Sequence, residues 1–172
     1  ILKNMKHDIN AITKYGTTAL VLACVFNRSP EVLELLLKNG ADRYIKNNDG
    51  FTALDFAIQN KNIIQVKKLL EYYEKPPLVL FEKCIDLKIT DDDLRKKNPF
   101  YTSLIGLLEI NLPYKGKFLM IEVAKKKNIN LIKFLIYLGA DFQIKDSEGK
   151  IPYDYFKIGF LNPDLDINRT SF

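Results

Sequence analysis

The chain has 172 residues, 47% of them hydrophobic and 27% charged, with 26 basic against 21 acidic side chains and a formal net charge of +5. That length suits one domain or a short repeat array, and the apolar content excludes compositional disorder. Apolar stretches such as Leu131–Leu138, broken by Lys133, are too short to cross a bilayer, so membrane, fibrous and secreted mini-protein classes are all excluded. No charged, then apolar, then small-residue pattern opens the sequence, which predicts no secretory leader within it; Ile1 in first place leaves room for a segment upstream. Cys24 and Cys84, both in apolar surroundings, read as buried reduced thiols. A single histidine, His7, leaves zinc and most acid–base chemistry without a second ligand.

In chain order, Thr18 is suited to cap a first helix, and Ser29-Pro30-Glu31 to open a second, with Ser29 as cap and proline at the tolerant first position. Val32, Leu35 and Leu36 fall on one face of that second helix, which Gly40 ends in a left-handed turn. Thr52 caps the next helix. The run Glu71–Pro77 then stops the chain bluntly, because proline cannot continue a helix. Leu78–Leu87 reads as a helix with Leu80, Phe81, Cys84 and Leu87 on one face. Thr90 with Asp93 three residues on is a helix-start signature, and Asn98-Pro99 restarts a helix through Tyr101–Glu109. Ile129, Ile132, Leu135 and Ile136 line one face of a last helix that Gly139 ends, and Gly159–Phe172 either packs as an irregular cap or hangs free.

The sequence also repeats itself. Leu135-Ile136-Tyr137-Leu138-Gly139-Ala140-Asp141 falls three periods of about 33 residues after Leu36-Leu37-Lys38-Asn39-Gly40-Ala41-Asp42. Gly16, Gly50, Gly116 and Gly149 keep the same ruler, with one slot near residue 83 lacking its glycine. The copies Gly16-Thr17-Thr18-Ala19-Leu20-Val21-Leu22-Ala23 and Gly50-Phe51-Thr52-Ala53-Leu54-Asp55-Phe56-Ala57, each leading to a leucine-rich second helix, resemble the ankyrin repeat. The resemblance implies an all-α solenoid of stacked helix pairs with β-hairpin fingers. Its boundaries are the end of a truncated repeat over 5–14, then repeats 15–48, 49–81, 82–114 and 115–147, a half repeat over 148–158 and an irregular tail over 159–172. The third repeat, 82–114, keeps almost none of the pattern. It is either an enlarged repeat in a continuous stack or a true break between two stacks.

Little in the sequence suggests catalysis. Asp91-Asp92-Asp93 reads as acids favoured at a helix N-terminus rather than a metal site, and Lys125-Lys126-Lys127 as a solvated face. Asn27-Arg28-Ser29 and Asn168-Arg169-Thr170 match the glycosylation tripeptide, an accidental match without a leader. No phosphate loop, nucleophile elbow or dinucleotide fingerprint occurs, so no cofactor and no small-molecule substrate are expected.

The resemblance implies instead a non-catalytic scaffold that grips another protein through finger tips and exposed first helices. Carried across, the contact positions are Tyr15, Thr17, Val25 and Phe26, then Asn48, Phe51, Gln59 and Asn60, then Tyr114, Lys115, Lys117, Lys125 and Lys126, and finally Ser147 and Lys150. Aromatics lead and lysines follow, which suits a partner with an acidic or aromatic-accepting segment. Burial of Phe26 and Phe51 against neighbouring fingers is the competing reading. A targeting domain of a larger enzyme or secreted effector, and a binder of nucleic acid or anionic membrane, are the alternatives; the modest positive charge disfavours the latter. The expected compartment is the cytoplasm, of its own cell or of a host.

Overall fold

The computed structural model describes residues 8–26 and 29–155. The expectations for His7, for both glycosylation tripeptides, for residues 5–7 and for the segment from 156 onward therefore involve residues outside the described ones. The chain divides at Pro76/Pro77 into two compact units.

The first unit holds α1 (Ala19–Phe26), α2 (Pro30–Lys38), α3 (Ala53–Gln59) and α4 (Ile63–Leu70). α1 packs on α2 and α3 on α4, and the pairs stack, α1 against α3 and α2 against α4. Each short helix hides its apolar side only because a neighbouring pair covers it, which is the logic of a repeat stack. Leu20, Val21, Cys24, Leu33, Leu54, Val66 and Leu69 form the buried core, while Ala23, Ala53 and Ala57 let the backbones approach. Thr52 caps α3 in a reciprocal box, its hydroxyl accepting from the Asp55 amide and the Asp55 carboxylate from the Thr52 amide at 2.8 Å. Ser29 corrects its expected role. It sits at the start of α2 but makes no side-chain capping bond, and its hydroxyl donates instead to the Glu31 carboxylate.

The second unit holds most of α5 (Pro76–Ile85), then α6 (Asp91–Arg95), α7 (Pro99–Ile105), α8 (Leu119–Lys125), α9 (Ile129–Tyr137) and a 3-10 turn, Pro152–Tyr155. α8 packs on α9 and on the 3-10 turn, and α6 on α9. The stretch from Pro76 to Ile105 thus holds three helices, and the expected repeat boundary between 81 and 82 falls inside α5. The chain after Asn98 is helical only to Ile105, short of the expected Glu109, because the turn at Gly106–Leu108 ends it. Thr90 and Asp93 form a second capping box, and the Asn98 amide donates to the other Asp93 oxygen at 2.6 Å, tying α6 to α7. Asp93 is buried and hydrogen-bonded within this cap, while Asp92 pairs outward with Lys96 at 2.8 Å. The triple-aspartate run therefore serves the helix start.

Among the described residues the fingers contain no sheet strand. They are hairpin turns closed by backbone pairs, such as Thr13 N donating to Thr17 O at 3.0 Å, Asn47 N to Phe51 O at 2.9 Å and Asp146 N to Lys150 O at 2.9 Å. Among the described residues only the Tyr114–Lys117 pair forms an antiparallel bridge.

Candidate protein-binding surfaces

In the first unit the expected contact residues occupy both ends of α1 and α3. Tyr15 stands 63% exposed at the first finger tip, with the Lys14 ammonium 4.9 Å from its ring centre. Asn48, in the next finger, donates its backbone amide to Tyr15 O at 3.1 Å and its side-chain amide to Lys14 O at 3.2 Å. Thr17 accepts the finger-closing bond through its carbonyl and is half-buried. Phe51 is partly exposed and packs edge-to-face on Phe56, with ring centres 6.0 Å apart. At the other end, Asn60 donates from its side chain to Cys24 O at 3.1 Å, binding the end of α3 to α1 beside half-buried Val25; Gln59 is exposed. Phe26 is 80% exposed, so the alternative of a buried Phe26 does not hold.

In the second unit the lysines are mostly engaged. Lys125 pairs with Glu122 at 2.9 Å, Lys126 with Asp86, and Lys150 with Glu148 at 2.6 Å. Lys125 and Lys150 also lie 5.3 and 5.7 Å from the Tyr155 ring centre. The Tyr155 hydroxyl donates to Asp146, which holds that carboxyl below the ordinary range and pushes the phenol up to about 12. Tyr114 is half-buried against Phe81, ring centres 5.1 Å apart, and its oxygen accepts from the Glu109 amide at 3.0 Å. It supports the finger more than it offers a contact. Lys115, Lys117 and Ser147 are exposed, and the two lysines carry no ion pair among the described residues. No group of three or more metal-ligating side chains gathers among the described residues, and no helix there is long and apolar enough to cross a membrane.

Residues 1–78 match the family model for ankyrin repeats (3 copies). The chain is 28% identical over 152 residues to oxysterol-binding protein homolog 2 of Saccharomyces cerevisiae, covering 87% of this chain and 12% of that protein. It is 38% identical over 63 residues to ankyrin repeat protein 14 of vaccinia virus, covering 37% of this chain and 26% of the relative. It thus spans only a small part of each. The fold resembles the crystal structure of the ankyrin repeat domain of Bcl-3, with TM-score 0.54 and 24% identity over 95% of this chain and 72% of the other. The first 78 residues of the chain are ankyrin repeats.

The ankyrin pattern points to fingers and first helices, but it passes over several side chains that shape these surfaces. Leu22, one turn before Phe26 on α1, is 37% exposed and extends its apolar line; the i, i+4 spacing was the available signal. Arg43 packs beside the edge-to-face pair of Tyr44 and Tyr73, 4.7 and 5.3 Å from their ring centres. Asn10 and Asn111 grip the two Gly-Ala-Asp turns in the same way. Each side-chain oxygen accepts from the aspartate amide at 2.7 Å, and each side-chain nitrogen donates to the glycine carbonyl, at 3.4 and 3.2 Å. A lone asparagine far upstream of its turn carries no local sequence signature.

Proposed function

We propose that this chain is a non-catalytic scaffold that holds another protein against its fingers and first helices, with α1 of the first unit as the anchor. The observation that carries this reading is Phe26, 80% exposed and in line with Leu22, an apolar stripe that no described neighbour covers. Large aromatics at a desolvated contact supply most of the energy of an interface, whereas exposed lysines steer a partner more than they hold it. Ion pairs at Lys125, Lys126 and Lys150 fit that lesser role, because exposed pairs are worth roughly 0–1 kcal/mol and exchange readily. The partner read from this surface is a protein segment that accepts an aromatic anchor and carries acidic groups. We place the chain's work in the cytoplasm, its own cell's or a host's, as part of the same proposal.

The test is photo-crosslinking in cells of the source organism or its host. p-Benzoylphenylalanine placed at position 26 is expected to trap a discrete protein adduct. Placed at Ile64, 61% exposed on α4, it is expected to trap none. Phe26→Ala should weaken capture of that partner at least about tenfold, the scale of one aromatic hot spot. Equal trapping at both positions would place the anchor elsewhere.

A further inference from the structure

The second unit contains a cleft that shares Lys126 alone with the finger-face reading. It opens between the loop after α5 and the turn joining α8 to α9, with a volume of about 580 Å³. The seven residues of α8 separate it from the Tyr114–Lys117 finger, about 10 Å at the helical rise. Two side chains fix its walls across the gap: Asn128 donates to Leu87 O at 2.7 Å and Asn130 to Ile89 O at 2.9 Å. Both bonds end on backbone, so the spacing of the two loops is set independently of any ligand.

The lining combines two chemistries. Ile85, Ile89 and Ile129 supply an aliphatic wall, with Ile89 buried and the other two half-buried. Lys88, Lys126 and Lys127 stand exposed around it. Asp86 engages Lys126, whereas Lys88 and Lys127 have no ion pair among the described residues. Two uncompensated cations therefore flank an apolar wall. Free phosphate would meet only water-exposed ammonium groups, each contact worth about 1 kcal/mol or less. A nucleic acid would find no aromatic ring in the lining to stack a base, and few charges for its backbone. A carboxylate side chain with an aliphatic neighbour satisfies both halves at once, and the volume lies within the roughly 300–1,000 Å³ of ligand clefts.

We propose that this cleft is a second docking site, taking an acidic–aliphatic segment of a partner protein. It lies beyond the finger-face reading and does not depend on it. The test titrates the whole 15N-labelled chain with the blocked peptide acetyl-Gly-Asp-Ile-Glu-Leu-Gly-amide, and with a control carrying Asn and Gln in place of its acids. Saturable shifts are expected at the amides of Lys88, Lys127, Asn128 and Asn130. The control, and the variant Lys88→Glu/Lys127→Glu, should bind at least about tenfold more weakly, while Phe26→Ala binds like the parent. Lys88→Glu alone supplies an intermediate loss should the left-handed Lys127 position resist substitution. Absence of saturable shifts, equal response to the control peptide, or indifference to charge reversal overturns the proposal. So does tighter occupation of the same resonances by a short DNA duplex, and loss of the peptide's effect in Phe26→Ala would transfer the binding to the finger face.

Discussion

Gly16 and Gly50 occupy equivalent finger turns, at φ +72° and +85°, yet they face a methyl group differently. A Cβ on Gly16 would lie 2.5 Å from Asn48 Oδ1 and 2.9 Å from Asn48 N, whereas one on Gly50 meets nothing within 4 Å. Both alanine variants suffer the left-handed strain, about 1–2 kcal/mol for a residue with a side chain. Gly16→Ala must in addition push Asn48 away from Tyr15 and Lys14, breaking the bonds that join the first two fingers. We expect Gly50→Ala to cost about 1 kcal/mol and Gly16→Ala about 2–3 kcal/mol in urea unfolding. Equal losses would mean that the Asn48 link contributes little. Residues of this kind are legible in part. The glycine ruler gives away the turns, but which turn is crowded depends on a residue one repeat away.

At the scale of elements, the last finger of the second unit is held by a titratable clasp. Asp146 accepts from the Gly-Lys side of its own turn through the Lys150 amide at 3.0 Å, and from the Tyr155 hydroxyl at the end of the 3-10 turn. Its folded pKa is depressed, chiefly by the Tyr155 bond, so the clasp's contribution is present above the unfolded carboxylate pKa and is lost as pH falls through the lower folded value. The Tyr155 ring resonances should accordingly move in acid with a midpoint below the ordinary aspartate range, and Asp146→Asn should remove that transition. A midpoint at the ordinary value would show the clasp to be absent in solution. Local patterns made the regular elements readable: Thr52 and Thr90 with their aspartates, Ile132 and Leu135 on the buried face of α9, and the glycine stops. The face of α2 is a correction: it buries Leu33 and Leu37, while Leu35, expected inside with Val32 and Leu36, is 63% exposed, because the neighbouring pair covers the opposite edge of the apolar run. Ser29 misled because an N-cap needs its hydroxyl aimed at the helix amides, and the neighbouring Glu31 takes it instead. The three helices of the α5–α7 region were legible too, from Leu78–Leu87, from Thr90 with Asp93 and from the restart at Asn98-Pro99, but their packing was not. What fixes it is the Asp93–Asn98 bond, which no helix period announces, and the long-range packing of α6 on α9.

For the molecule as a whole, the formal charge of +5 leaves a protein partner and a polyanion as rival ligands, and the salt dependence of binding separates them. Among the expected contact lysines of the second unit, Lys125, Lys126 and Lys150 already face carboxylates, which leaves Lys115 and Lys117 as the unpaired cations of that set. Each phosphate neutralised on a duplex contributes about −0.9 to the slope of log K against log salt. A contact confined to these two spare cations would not give the steep dependence of a nucleic-acid binder. For the crosslinked partner we expect a shallow slope, about −2 or less in magnitude, with Phe26→Ala lowering affinity in parallel at every salt concentration. The parallel shift is the sharper part. An apolar anchor is unscreened, so its loss displaces the line without tilting it, whereas charge reversal at Lys115 and Lys117 should tilt the line and displace it less. A slope near −6 that flattens when lysines are reversed, with Phe26→Ala having no effect, would transfer the binding energy from the apolar stripe of α1 to the basic surface.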